Sequence, residues 1–131
     1  MSRSRLPNSF CTDPVEYSRP RSRVWKALDD GELDLQRGLR TARLQASAMD
    51  VLVAWAETLR LSQAALGAGS GLGRDRVGRL IRGEAWMRLD EAISLSDAIK
   101  VNLIASAHLI GDRLEMDWYP DRPKKVSYAV D

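Results

Sequence analysis

The 131-residue chain holds one cysteine, one histidine and one phenylalanine, and only 6% of it is aromatic. A lone Cys11 cannot form an intramolecular disulfide, so a reducing, cytoplasmic setting is expected. With His108 as the single histidine and Cys11 distant in sequence, neither a metal site nor a histidine-based catalytic triad is expected. His108 reads as a helix residue without a special role. No apolar run approaches the length of a membrane span. The opening MSRSRLPNSFCTDP is charged but lacks the apolar stretch of a secretory signal. No glycine loop followed by a phosphate-binding lysine occurs. An excess of one charge is missing too: 20 Lys+Arg against 18 Asp+Glu leave +2, too little to imply a nucleic-acid partner by itself. These absences argue against an enzyme, and no cofactor, metal, membrane or small-molecule ligand is expected.

What is present is unevenly spread. Arginine outnumbers lysine sixteen to four, and arginine is the better fork for phosphates and guanine edges, although a GC-rich coding sequence also enriches it. Residues 1–20 carry Pro7, Pro14 and Pro20 among Ser, Asn and Asp and read as a disordered arm. Residues 21–47 read as a helical extension. Within it, Ser22 caps a short helix ended by Gly31, and a second helix runs from Asp34 to about Ala46 with Leu35, Leu39, Ala42 and Ala46 on one face. Ser47 then reads as the cap of a helix over 48–59, striped by Met49, Leu52, Val53, Ala56 and Leu59. A further helix is predicted over Leu89–Ile99, with Leu89, Ala92, Ile93, Leu95 and Ile99 inward, and a last one over Leu103–Leu109. In the tail, 111–131, Leu114, Met116 and Trp118 alternate with Glu115, Asp117 and Tyr119, and Val126, Tyr128 and Val130 alternate with Ser127 and Ala129. Two period-2 runs around PDRPKK predict a β-hairpin.

Six of the nine glycines fall in LSQAALGAGSGLGRDRVGRLIRG, Leu61–Gly83. The middle, GAGSGLG, has linker composition, but its spacing is that of a turn. Ser62 can cap a helix starting at Gln63, Leu66 faces inward one turn on, and Gly71 falls where that helix must reverse. Leu72 plugs the turn, and a second helix from about Arg74 turns Val77 and Leu80 inward. Two short helices about a tight glycine turn form a helix-turn-helix arrangement.

This stretch resembles the helix-turn-helix of the lambda-repressor/Cro-like (Xre-type) DNA-binding family. Leu61-Ser62-Gln63 opens it, Leu66-Gly67 follows, Gly71-Leu72-Gly73 makes the turn, Val77 and Leu80 pack, and Arg82-Gly83 closes it. The likeness extends through RLDEAISLSDAIKVNL and spans about residues 48–110. It implies a mainly α fold: a five-helix DNA-binding domain, here with extra N-terminal helices and a C-terminal hairpin. The chain departs from the pattern at Gly67, where Ala is usual, at Gly69 inside a helix, and at Ser70 in an apolar slot. It also has Gly73 in place of a Ser or Thr cap and Lys100 at a common glycine C-cap. Interior glycines cost about 0.5–1 kcal/mol each relative to alanine.

The resemblance implies that the helix over about 74–82 enters the major groove while the preceding helix crosses the backbone. Carried over, Gln63 meets phosphate, Arg74, Asp75 and Arg79 take base-reading positions, Gly78 allows close approach, and Arg82 and Arg88 contact phosphate, while Gly73, at the cap of the DNA-binding helix, lacks the side-chain contact a Ser or Thr would make there. Asp75 either accepts from cytosine or orients a neighbouring arginine. Arg76 points away, toward solvent or phosphate. The basic run Arg19–Arg23 reads as a minor-groove or phosphate-binding arm. The implied function is a sequence-specific transcriptional regulator on a double-stranded DNA operator, a repressor of phage-immunity or Cro-like type. Monomer and homodimer both stay open. The alternative is an antitoxin or adaptor binding a partner protein through Trp86, Met87, Trp118 and Tyr119.

Overall fold

Nothing in RLQASAMD, residues 43–50, stops a helix: it holds neither glycine nor proline, and most of its residues are good helix formers. In a computed structural model of the chain, which describes residues 5–28 and 33–110 (the last three by backbone alone), helix α1 runs unbroken over Leu33–Leu59. At 27 residues it is about 40 Å long. Ser47, expected as a cap, lies buried within it. The boundary expected between 47 and 48 therefore falls inside one rigid rod, and the extension and the domain after it share that helix. Its buried stripe recurs at helical spacing through Ala42, Gln45, Ala46, Met49, Leu52 and Ala56.

Four shorter helices follow: α2, Gln63–Ser70; α3, Arg74–Ile81; α4, Leu89–Ile99; and α5, Leu103–Ile110. The described residues are thus mainly helical. None of their helices is long and apolar enough to cross a membrane. The α1 stripe packs against Leu66 of α2, Val77 and Leu80 of α3, Leu95 and Ile99 of α4 and Leu103 of α5, all at most 3% exposed. Three residues expected inside are not: Leu59 is 45% exposed at the end of α1, and Leu89 is 70% and Ile93 57% exposed, so α4 buries the narrower face of Ala92, Leu95 and Ile99.

The N-terminal arm is ordered where it is described. Residues 5–20 contain two 3-10 turns, Pro7–Phe10 and Pro14–Ser18, each entered at a proline, where a missing N–H costs nothing. Phe10, Cys11 and Tyr17 are buried. The ring of Phe10 occupies the space a side chain at Gly38 of α1 would fill. Tyr17 donates its hydroxyl to the Ala42 carbonyl at 3.3 Å and meets the Trp25 ring edge-on. The Ser22-capped helix does not form over 22–28. Trp25 instead makes an isolated antiparallel bridge with Cys11, backed by hydrogen bonds from Thr12 to Val24 and from Lys26 to Phe10. That bridge is the only β-pairing among the described residues, and the hairpin expected over 111–131 lies outside them.

Candidate nucleic-acid interface

The geometry around α3 begins with two glycines in left-handed or related backbone. Ser62 caps α2, its Oγ accepting from the Ala65 N–H at 3.0 Å. Gly71 ends α2 at φ 76° and Gly73 starts α3 at φ 88°, conformations that side-chain-bearing residues rarely adopt. Between them Leu72 leans on the core. Gly67 was expected to weaken α2, yet it sets the distance between the two helices. A Cβ there would sit 2.4 Å from the Arg74 nitrogen, and the Gly73 N–H donates to the Gly67 carbonyl at 3.1 Å.

The far end of α3 is fastened from three sides. Buried Gln45 of α1 donates to the Leu80 carbonyl at 3.2 Å and the Ala85 carbonyl at 2.9 Å, and accepts from the Met87 N–H at 2.8 Å. Asn8 donates its backbone N–H to the Gly83 carbonyl at 3.0 Å, and the Tyr17 ring lies where a Gly83 side chain would be. Trp86 packs edge-on against Phe10 and donates its indole N–H to the Arg5 carbonyl at 2.8 Å. Met87 packs on the core.

With Val77 and Leu80 fully buried beneath it, α3 turns Arg74, Asp75, Arg79 and Arg82 to solvent along one side. Gln63 joins that side: its Nε2 donates to the Arg74 carbonyl at 3.0 Å. Gly78 lies beneath the Gln63 amide and the Arg82 guanidinium, either of which a Cβ would strike. Six of the eight expected positions thus share one exposed surface, Gly73 at its edge, while Gly78 is buried under these two side chains and does not offer the close approach expected of it. Arg88 stands apart at the start of α4, 71% exposed.

The arginines differ in their partners. Arg76 is only partly exposed and is engaged within the fold: it forks onto Glu91 of α4 at 2.7 and 2.8 Å and donates to the Trp86 carbonyl at 3.1 Å. Glu91 is 6% exposed, and the Arg76 hydrogen bond outweighs burial, holding its carboxyl below the ordinary value. It also accepts from the Arg88 N–H at 2.9 Å, closing the open end of α4. Arg82 forks onto Glu84 at 2.9 and 3.3 Å, and Arg88 pairs with Asp90. The guanidinium groups of Arg74 and Arg79 have no hydrogen bond or ion pair to any described residue. Asp75 makes no hydrogen bond to a neighbouring arginine and reaches Arg82 only through its field.

The basic run expected as an arm is tied down as well. Arg23 forks onto Asp50 of α1, at 2.5 Å for the shorter contact, donates to the Tyr17 carbonyl at 3.0 Å and stacks over Trp25. Arg19 pairs with Glu16. Gln45, Tyr17, Glu84 and Glu91 gave no signal in the sequence, because each acts through a partner on another element or across a turn.

Comparison with protein-family models, curated proteins and solved structures finds no match to this chain.

Proposed function

We propose that α2, the Gly71–Gly73 turn and α3 form a helix-turn-helix that binds double-stranded DNA. On this reading the chain is a sequence-specific transcriptional regulator of the lambda-repressor/Cro-like kind, acting as a repressor by occupying an operator. The observation that carries this reading is the division of the α3 arginines. Among the described residues Arg74 and Arg79 have no partner for their guanidinium groups, on the exposed side of a helix whose other side is core, while Arg76 is consumed by the fold. An arginine without an internal partner keeps its fork free for guanine O6 and N7. Arg82 and Arg88 are half or more exposed and can exchange their carboxylates for phosphate. Gln63, seated against the start of α3, would contact the backbone beside the groove. The reading makes the protein a binding module rather than an enzyme, working where the DNA is, in the cytoplasm. In the partner-protein alternative, Trp86 and Met87 would meet the partner with the part of each side chain that is not engaged within the chain.

The test is selection of duplexes from a random-sequence pool by the full chain, followed by fluorescence titration of the selected site. Arg79→Ala should weaken it by about 1–3 kcal/mol and relax preference at one base pair. Arg82→Ala should weaken all sequences alike and flatten the salt dependence. Failure to enrich any sequence, or an unchanged preference in Arg79→Ala, would refute the assignment.

A further inference from the structure

Helix α3 ends in a Schellman turn. The Gly83 N–H returns to the Leu80 carbonyl at 3.2 Å and the Glu84 N–H to the Arg79 carbonyl at 2.8 Å, with Gly83 at φ 71°. This turn sets the residue after the glycine beside the last turn of the helix, where an apolar residue is the usual occupant. Here it is a glutamate. A carboxylate at a helix C-terminus opposes the helix dipole, so helix stability does not call for it. Its oxygens take two donors of Arg82, Nε at 2.9 Å and Nη2 at 3.3 Å. That planar two-point grip is the one arginine offers a phosphate. Arg79 lies within the field of the same carboxylate.

We infer that Glu84 is an intramolecular competitor for DNA phosphate, occupying the Arg82 fork and so holding down sequence-independent binding. The inference rests on the DNA-binding reading of α3. Arg82 and Glu84 are 50% and 42% exposed, so the pair is weak in water and open to exchange. Phosphate can take the fork only by displacing a carboxylate that then stays nearby and repels the backbone. The pairing of Arg76 with Glu91 is of another kind: its carboxylate is buried and it joins two helices, whereas Glu84 lies two residues from its partner, across the turn that ends α3.

The test compares the full chain, Glu84→Gln, Arg82→Ala and the double variant on a duplex of scrambled sequence across a salt series. Glu84→Gln should bind about three- to tenfold more tightly at low salt and steepen the logarithmic salt slope by about one. In the Arg82→Ala background the same change should do almost nothing. Thermal melts of Glu84→Gln should match the parent, since its side-chain partner among the described residues, Arg82, is an exposed one. A gain that persists without Arg82 would overturn the competitor role and leave a general charge effect. No gain in a chain that binds the duplex would overturn it as well. If the parent chain binds neither scrambled nor selected duplexes, the DNA-binding reading falls and takes the inference with it.

Discussion

Gly67→Ala should destabilise the fold although alanine is the better helix former. The new Cβ would lie 2.4 Å from the Arg74 nitrogen, 2.5 Å from the Gly73 carbonyl carbon and 2.9 Å from the Arg74 Cα. Ordinary contact begins at 3.4 Å, so α2 and the start of α3 would have to part by about 1 Å. Both sides of the clash are backbone, so no side chain can rotate away. Parting also stretches the 3.1 Å bond from Gly73 to the Gly67 carbonyl. Overpacking of this kind costs about 1–3 kcal/mol and a lost hydrogen bond about 1 kcal/mol, while the helix propensity of alanine returns about 1 kcal/mol. The net loss is about 1–3 kcal/mol, which in a domain of this size lowers the melting temperature by roughly 10 °C. Gly69→Ala is the internal control. Its nearest neighbour would be the Ala98 Cβ at 3.6 Å, so the same change two residues on should stabilise by about 0.4–1 kcal/mol. Circular dichroism melts of the two variants decide the matter. Equal behaviour, or a Gly67→Ala variant at least as stable as the parent, would show that α2 and α3 do not approach this closely.

Removing residues 1–23 should lower stability by about 3 kcal/mol or more, because Phe10 and Tyr17 each contribute about 1.5–3 kcal/mol on burial. Urea unfolding checks it, and an unchanged midpoint would mean that the segment does not dock. The Arg76–Glu91 fork predicts a pH dependence. Its folded carboxyl is held below its unfolded value, so the stability it supplies is fully present above the ordinary glutamate value, about 4.3. That stability is lost as pH falls through the lower folded value. Glu91→Gln should therefore be less stable than the parent by about 2 kcal/mol at pH 7, with the gap closing below pH 4 or so. A gap that stayed constant to pH 3 would contradict the pairing.

How much of this was legible in the sequence depends on where each residue finds its partner. The α2–turn–α3 unit was legible because its signals are local: Ser62, Gly71 and Gly73 act on their own backbone, and Val77 and Leu80 repeat within one helix. Ser47 misled because a serine looks the same as a cap or inside a helix; only the absence of a breaker in RLQASAMD argued for continuity. The arm misled for another reason. Turns of four and five residues have no periodicity, and Phe10 and Tyr17 are isolated aromatics whose burial depends on Gly38, Ala42 and Gly83 far along the chain. Gly67 counted as a propensity cost because its benefit lies across a contact. Among the candidate site residues, Arg74, Arg79 and Gln63 were expected from the family resemblance, and helical spacing alone put Arg74 and Arg79 on the side of α3 opposite Val77 and Leu80. The engagement of Arg76 by Glu91, fifteen positions on, followed from neither.

The hydrogen bonds that seat the end of α3 on the N-terminal segment join residues 74 to 81 positions apart. Contacts of such long sequence separation close large loops and slow folding. A ribosome adding about 5–20 residues per second makes the segment roughly 4–15 seconds before α3 exists. In that interval its aromatic residues have only Trp25 and, once that helix has followed, α1 to pack against. The order of synthesis thus makes the segment and α1 a platform that waits, and α3 the piece delivered to it. A variant that weakens the seat, such as one at Gly83 where the Tyr17 ring leaves no room, would therefore act late in assembly. It would leave a chain that has collapsed around α1 with its arginine helix not yet docked.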